Sequence, residues 1–173
     1  MADTTSAAPR WGPVATLPLS LLGLGLSIYL TVVHYTEPTS LSCPNTGSVN
    51  CTKVTTSAQS LLFGHIPVAL AGAVFFLAMT ALTLPAVWHL ASRSLALTRV
   101  AFAVAGMAMV LWLIYAEAAI VHALCLWCTA VHVVMFALFV CVLAATAWGG
   151  EPGGYDDPDR DSAAASAEDA TTR

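Results

Sequence analysis

The sequence predicts an all-α membrane protein: a bundle of four transmembrane helices with a long outer loop, carrying a short surface helix, between the first and second spans. Three observations point there. Of 173 residues, 58% are hydrophobic and 9% charged, a balance that no soluble surface can wrap in a chain this short. The stretches Trp11 to Thr36 and Val54 to Ser92 contain no Lys, Arg, Asp or Glu, so each can hold a helix of the roughly 20 residues that cross ~30 Å of hydrocarbon. After Arg99 a further apolar run reaches Gly150, interrupted only by Glu117. That length requires two crossings and a tight turn near Ala118 to Leu124.

In order, residues 1–13 form a cytoplasmic N-terminal segment, and spans are expected at about 14–34, 66–88, 98–119 and 124–147. Arg10 precedes the first span and Arg93 and Arg99 separate the second from the third, whereas the outer loop 35–65 holds the single Lys53. Basic residues favour the cytoplasmic side, so both termini are expected inside and the 35–65 loop and the 118–124 turn outside. Parity is the stronger argument: with four crossings, that loop and that turn share one face. Seven of the ten acidic residues lie in 151–173 among Gly, Pro and Ala, so 149–173 is expected to be a disordered acidic tail. The net charge of −4 therefore reflects the tail and gives no reason to expect nucleic acid as a partner. Met1 to Arg10 does not read as a cleavable signal, because the apolar run behind it is longer than a signal's core.

Four of the five cysteines form two pairs, Cys43/Cys51 and Cys125/Cys128. The first pair sits in the outer loop, amid the turn-forming Ser42-Cys43-Pro44-Asn45-Thr46-Gly47 and Asn50-Cys51-Thr52. The apolar stretch Val54 to Phe63 is expected to dip onto the bilayer as a short helix and carry Cys51 towards the bundle. Cys125-Leu126-Trp127-Cys128 opens the fourth span, where residues three apart point the same way. A cysteine at a helix N-terminus is favoured as the thiolate that attacks disulfides. Three chemistries fit these spacings. Four cysteines can hold zinc, although seven residues within the first pair exceed the usual two to four. Cys43/Cys51 can be a plain structural bridge in an oxidising compartment. Two pairs on one face can also exchange disulfides with each other.

The separated pair followed by C-x-x-C, Ser57 six residues after Cys51, and Phe63-Gly64-His65-Ile66-Pro67-Val68-Ala69-Leu70 leading into the second span together resemble bacterial homologues of vitamin K epoxide reductase. The resemblance covers about residues 15–147 and includes the order of the cysteine pairs; another bacterial membrane family that oxidises thioredoxin-like partners has the reverse order. It implies a four-helix bundle in the bacterial plasma membrane, with its site on the extracytoplasmic face, that supports disulfide formation in exported proteins. Electrons would enter from a separate thioredoxin-like secreted or periplasmic protein, since nothing in 148–173 supplies a fused thioredoxin-like domain. They would leave to the membrane pool of quinone, menaquinone or ubiquinone. By the same resemblance Cys43 forms the mixed disulfide with the partner, Cys51 attacks Cys125, and Cys128 faces the quinone.

Other candidates follow from position. His132 lies four residues after Cys128 and seven after Cys125, on the same helical stripe, and is a quinone contact or a histidine hydrogen-bonded within the bundle. The vertebrate enzymes of the resembled family carry a tyrosine there. Ser57 supports the quinone site by resemblance, or is simply solvated. Glu117, near the outer end of the third span, is a proton relay or an interfacial acid facing water. His34, His65, His89 and His122 fall at span ends. Trp112, Tyr115 and Trp127 are expected as interface anchors, and Cys141 as a small apolar filler. Two function classes remain at this stage: a quinone-dependent thiol oxidoreductase, and a non-catalytic membrane subunit or transporter stapled by disulfides.

Overall fold

The computed structural model describes residues 11–37, 43, 49–62, 64–88, 90 and 92–148. The elements run α1 (Trp11–Thr36), α2 (Cys51–Thr55), a 3₁₀ turn (Ala58–Ser60), β1 (Leu61–Leu62), β2 (Ile66–Pro67), α3 (Val68–Thr83), α4 (Pro85–Trp88), α5 (Arg93–Tyr115), a π-helical turn (Ala116–Val121) and α6 (Leu126–Trp148). The expected acidic tail, residues 1–10, most of 38–48, Phe63, His89 and Ala91 lie outside the described residues, and residues 11–13 of the expected N-terminal segment belong to α1.

Among the described residues, three helices are long and apolar enough to cross a membrane: Gly12–Thr36, Arg93–Val121 and Leu126–Ala147. The expected second span, 66–88, takes a different form. Its helix is the apolar but shorter α3 of 16 residues, about 24 Å at 1.5 Å per residue. Pro85 explains the break, because the residue before a proline is pushed out of helical geometry, and Leu84 has ψ 137°. Ile66 and Pro67, expected in the same span, instead pair antiparallel with Leu61 and Leu62. That small hairpin, turned at Gly64 with its φ of +76°, also replaces the second half of the expected surface helix, which is confined to α2 and the 3₁₀ turn. The third span was expected from 98, yet α5 begins at Arg93 and carries Arg99 inside it.

α1 packs against both α3 and α6, and α5 against α6. The buried face of α1 is small and polar over its first five turns, where Thr16, Ser20 and Ser27 are almost fully enclosed, and turns apolar at Leu30 and Val33. Thr16 and Ser20 return their hydroxyl protons to Gly12 and Thr16 carbonyls at 2.7 and 2.9 Å, so they cost little inside the bundle. Gly23 on the same face gives its space to Phe76 of α3, whose ring occupies the position a Cβ would need. The lower core gathers Phe76, Met79, Ala103, Met135, Leu138 and Val142. At that end Arg99 is buried, lies 4.3 Å from the Trp88 ring centre, and donates to the carbonyls of Leu82 (2.8 Å) and Val87 (3.0 Å). The interrupted α3–α4 corner thus has its free carbonyls satisfied by a guanidinium.

Candidate functional site

Cys43 and Cys51 are joined as a disulfide, with Cα atoms 6.1 Å apart. Cys51 opens α2, whose first turn is capped by the Asn50 side chain accepting from the Lys53 N–H at 2.9 Å. The backbone just before it is tied to the backbone just before Cys125. Val49 pairs with Leu124 in a parallel bridge, and the Asn50 N–H donates to the Leu124 carbonyl at 3.0 Å. Cys51 and Cys125 consequently meet in one buried cluster with Leu30, Val33, Val54, Val121 and Ala123, while Cys43, Trp127 and Cys128 pack against it. Both Cys51 and Cys125 have no solvent exposure. Among the described residues, no group of three or more His, Cys, Asp or Glu is arranged to hold a metal ion.

Cys125 is the residue before α6 rather than its first turn. Its carbonyl accepts from the Thr129 N–H at 2.9 Å, and its sulfur accepts from the Cys128 N–H at 3.3 Å, in the manner of an N-cap. Cys125 and Cys128 are both free thiols. The turn ahead of them is built on Glu117. The Glu117 carbonyl accepts from the Ala123 N–H at 3.2 Å, and its carboxylate accepts from the Cys125 N–H at 3.4 Å. The widened π turn, closed by His122 in the left-handed region at φ 50°, draws Glu117 inwards to 6% exposure. It is thus a buried acid, not one facing water.

Beneath the hairpin lies a cavity of about 330 Å³, within the range that holds small organic ligands. Its walls are mainly apolar, with Phe75, Phe76, Met109 and Met135 among them, and Cys128, His132, Ser57 and Glu117 all reach its lining. His132 is buried, one turn beyond Cys128 on α6. Ser57 donates to the Val54 carbonyl at 2.7 Å and sits where the chain covers the cavity. The structure therefore brings all seven sequence candidates to one end of the bundle. Cys141 stands apart on α6, half-buried and free.

Sequence reasoning missed His34, Gln59 and the glycines. His34, read as a span-end residue, lines the cavity, as do Gln59, Gly72 and Gly106. A Cβ on Gly106 would lie 2.6 Å from Phe75 and 2.7 Å from Met135, so this glycine sets how far two wall side chains stand back. No periodic signal marks these positions, because they become neighbours only when Val54–Pro67 folds over the helix ends. Trp127, expected as an interface anchor, meets Tyr29 of α1 in a tilted ring contact, with centres 4.8 Å apart and planes inclined by 46°.

A family model described as the Vitamin K epoxide reductase family matches residues 14–143. No curated protein matches the chain.

Proposed function

The chain belongs to the vitamin K epoxide reductase family, an oxidoreductase family, and from that premise we propose that it reoxidises a separate thioredoxin-like partner and passes two electrons to a membrane quinone. The observation that carries this reading is the backbone pairing of Val49 with Leu124, which puts Cys51 and Cys125 in one buried cluster. Two inert bridges need no such adjacency.

In the proposed cycle a partner thiolate attacks Cys43, the Cys43–Cys51 bond breaks, and Cys51 leaves as a thiolate; the partner's second thiol then displaces Cys43, and the partner departs as a disulfide. Cys51 attacks Cys125 of a Cys125–Cys128 disulfide, forming Cys51–Cys125 and releasing Cys128 as a thiolate. Cys43 closes back on Cys51, which restores the first disulfide and frees Cys125. The electron pair now resides on Cys125 and Cys128, at the cavity. A quinone bound there supplies the acceptor for two electrons and two protons. The Cys125–Cys128 bond re-forms as the pair is given up.

The lining fits that group: apolar walls for a ring, the Cys128 sulfur for electrons, and the His132 imidazole as a donor to a carbonyl oxygen. Ser57 supports the cavity from the covering segment, and Glu117 relays protons. In this reading residues 14–148 form the transmembrane unit in a bacterial plasma membrane. α3, with the residues flanking it, completes a fourth crossing, residues 1–13 and 149–173 are cytoplasmic, and the cysteines face the extracytoplasmic side.

Purified protein in detergent, given a reduced thioredoxin-like protein and a soluble quinone, tests the proposal. Quinol absorbance should rise in proportion to donor disulfide formed. Donor oxidation without quinol, or neither, rejects it.

A further inference from the structure

Glu117 stands out as the acid among the groups lining the cavity. Among the described residues, the other titratable groups on that lining are Cys128 and His132 of α6 and His34 of α1, with no lysine or arginine; Cys125 sits just ahead of α6, and Lys53 of the neighbouring α2 is exposed. The Glu117 carboxylate accepts from the Cys125 N–H at 3.4 Å, and Glu117 and Cys128 line the same cavity. Cys125 itself has no solvent exposure.

We infer that Glu117 is the redox-linked proton site of the Cys125/Cys128 pair, taking up a proton when that disulfide is reduced and releasing it towards the cavity when the disulfide re-forms. The inference rests on the relay proposed above and specifies where one of its two protons waits. Its physical basis is charge. Breaking the Cys125–Cys128 bond with two electrons creates two sulfur anions beside a carboxylate, and three like charges in a buried corner with no cation among the described lining residues repel strongly. Of the two protons that balance the electrons, one on the Glu117 carboxyl and one on a sulfur leave a single thiolate. Re-forming the disulfide removes the sulfur charge, and the carboxyl proton is free to leave through the cavity that Glu117 lines.

The π turn serves the same end. By accepting from Ala123 through its carbonyl and from Cys125 through its carboxylate, Glu117 fixes the segment 122–125 and places its own acid against the sulfurs. A neutral amide at 117 can still accept the Cys125 N–H through its carbonyl oxygen but cannot carry the proton. Glu117→Gln therefore separates holding the turn from moving charge.

The test is difference infrared spectroscopy on the full-length protein in detergent, without added quinone, before and after reduction by a small dithiol. Wild type should gain a protonated-carboxyl stretch on reduction. That band should be missing from Glu117→Gln and from the Cys125→Ala/Cys128→Ala double variant. Glu117→Gln should also lower quinone-linked turnover by about 10²-fold, the scale of a lost acid–base group, while Cys51–Cys125 can still be trapped. A band unchanged in Glu117→Gln, or no band in wild type, overturns the inference; the wild-type measurement alone decides if the variant fails to accumulate. Wild type that turns over quinone yet lacks the band refutes only the Glu117 role. Wild type that exchanges no thiols and reduces no quinone refutes the relay, and this inference falls with it.

Discussion

Cys51 and Cys125, 74 positions apart in the chain, are fully enclosed neighbours in one cluster because Val49 and Leu124 pair through their backbones. The outer loop is thereby attached to the N-terminus of α6 by main-chain hydrogen bonding, which does not depend on the oxidation state of either sulfur.

Replacing either cysteine ahead of or within the first turn of α6 should stop the relay. Cys125→Ala and Cys128→Ala are expected to reduce quinone-dependent oxidation of a thioredoxin-like donor to background, read as quinol absorbance. Cys141→Ala, whose sulfur is far along α6 from the cavity, should retain the wild-type rate. Loss of activity in Cys141→Ala, or its survival in Cys128→Ala, contradicts the assignment.

His132→Ala should slow quinone reduction by about 10²- to 10³-fold, the scale of removing one donor to a developing oxyanion, with Cys51–Cys125 trapping unaffected. His132→Tyr restores a donor at the same position and should recover part of the rate. Unchanged quinone kinetics in His132→Ala would remove the imidazole from the site.

Packing at the α1–α3 contact is equally open to test. In Gly23→Ala the new methyl group competes with the Phe76 ring, a buried side chain with little room to move. A loss of about 1–3 kcal/mol is expected for such overpacking, seen as a lower thermal midpoint in detergent. A midpoint at or above wild type would show that the helices separate at no cost.

At the other end of the bundle, Arg99→Met removes both hydrogen bonds to the α3–α4 corner and the contact over Trp88. Stability should fall by about 2 kcal/mol, while the thiol exchange rate of the surviving folded protein stays at wild-type level. A selective loss of exchange with unchanged stability would mean that Arg99 acts on the redox end.

The parts legible in the sequence are those set by local chemistry. Charge-free runs marked α1, α5 and α6, and the i, i+3, i+7 spacing of Cys125, Cys128 and His132 placed them on one stripe before any coordinates. Pro85 is visible too, but the charge-free run around it is long enough for a full crossing, and only the extended backbone at Leu84 shows that the helix stops before it. The π turn left no trace, because it depends on where the Glu117 carbonyl and carboxylate find donors six and eight residues ahead. For the same reason the sequence leaves Glu117 as a proton relay or an interfacial acid facing water. The cavity's covering segment was hidden in a stretch whose apolar character suits a helix, a strand or a hairpin alike, and only the left-handed turn at Gly64 selects the last.

The most direct measurement is the disulfide map of Cys43→Ala. Without Cys43, Cys51 has no resolving partner, so after exposure to oxidised quinone it should be recovered bonded to Cys125 when the denatured, alkylated protein is digested and examined by mass spectrometry. A Cys51–Cys125 linkage in most of the protein is the predicted result. Recovery of Cys51 only as the alkylated thiol, with Cys125 bonded solely to Cys128, would contradict direct passage of electrons between the two pairs.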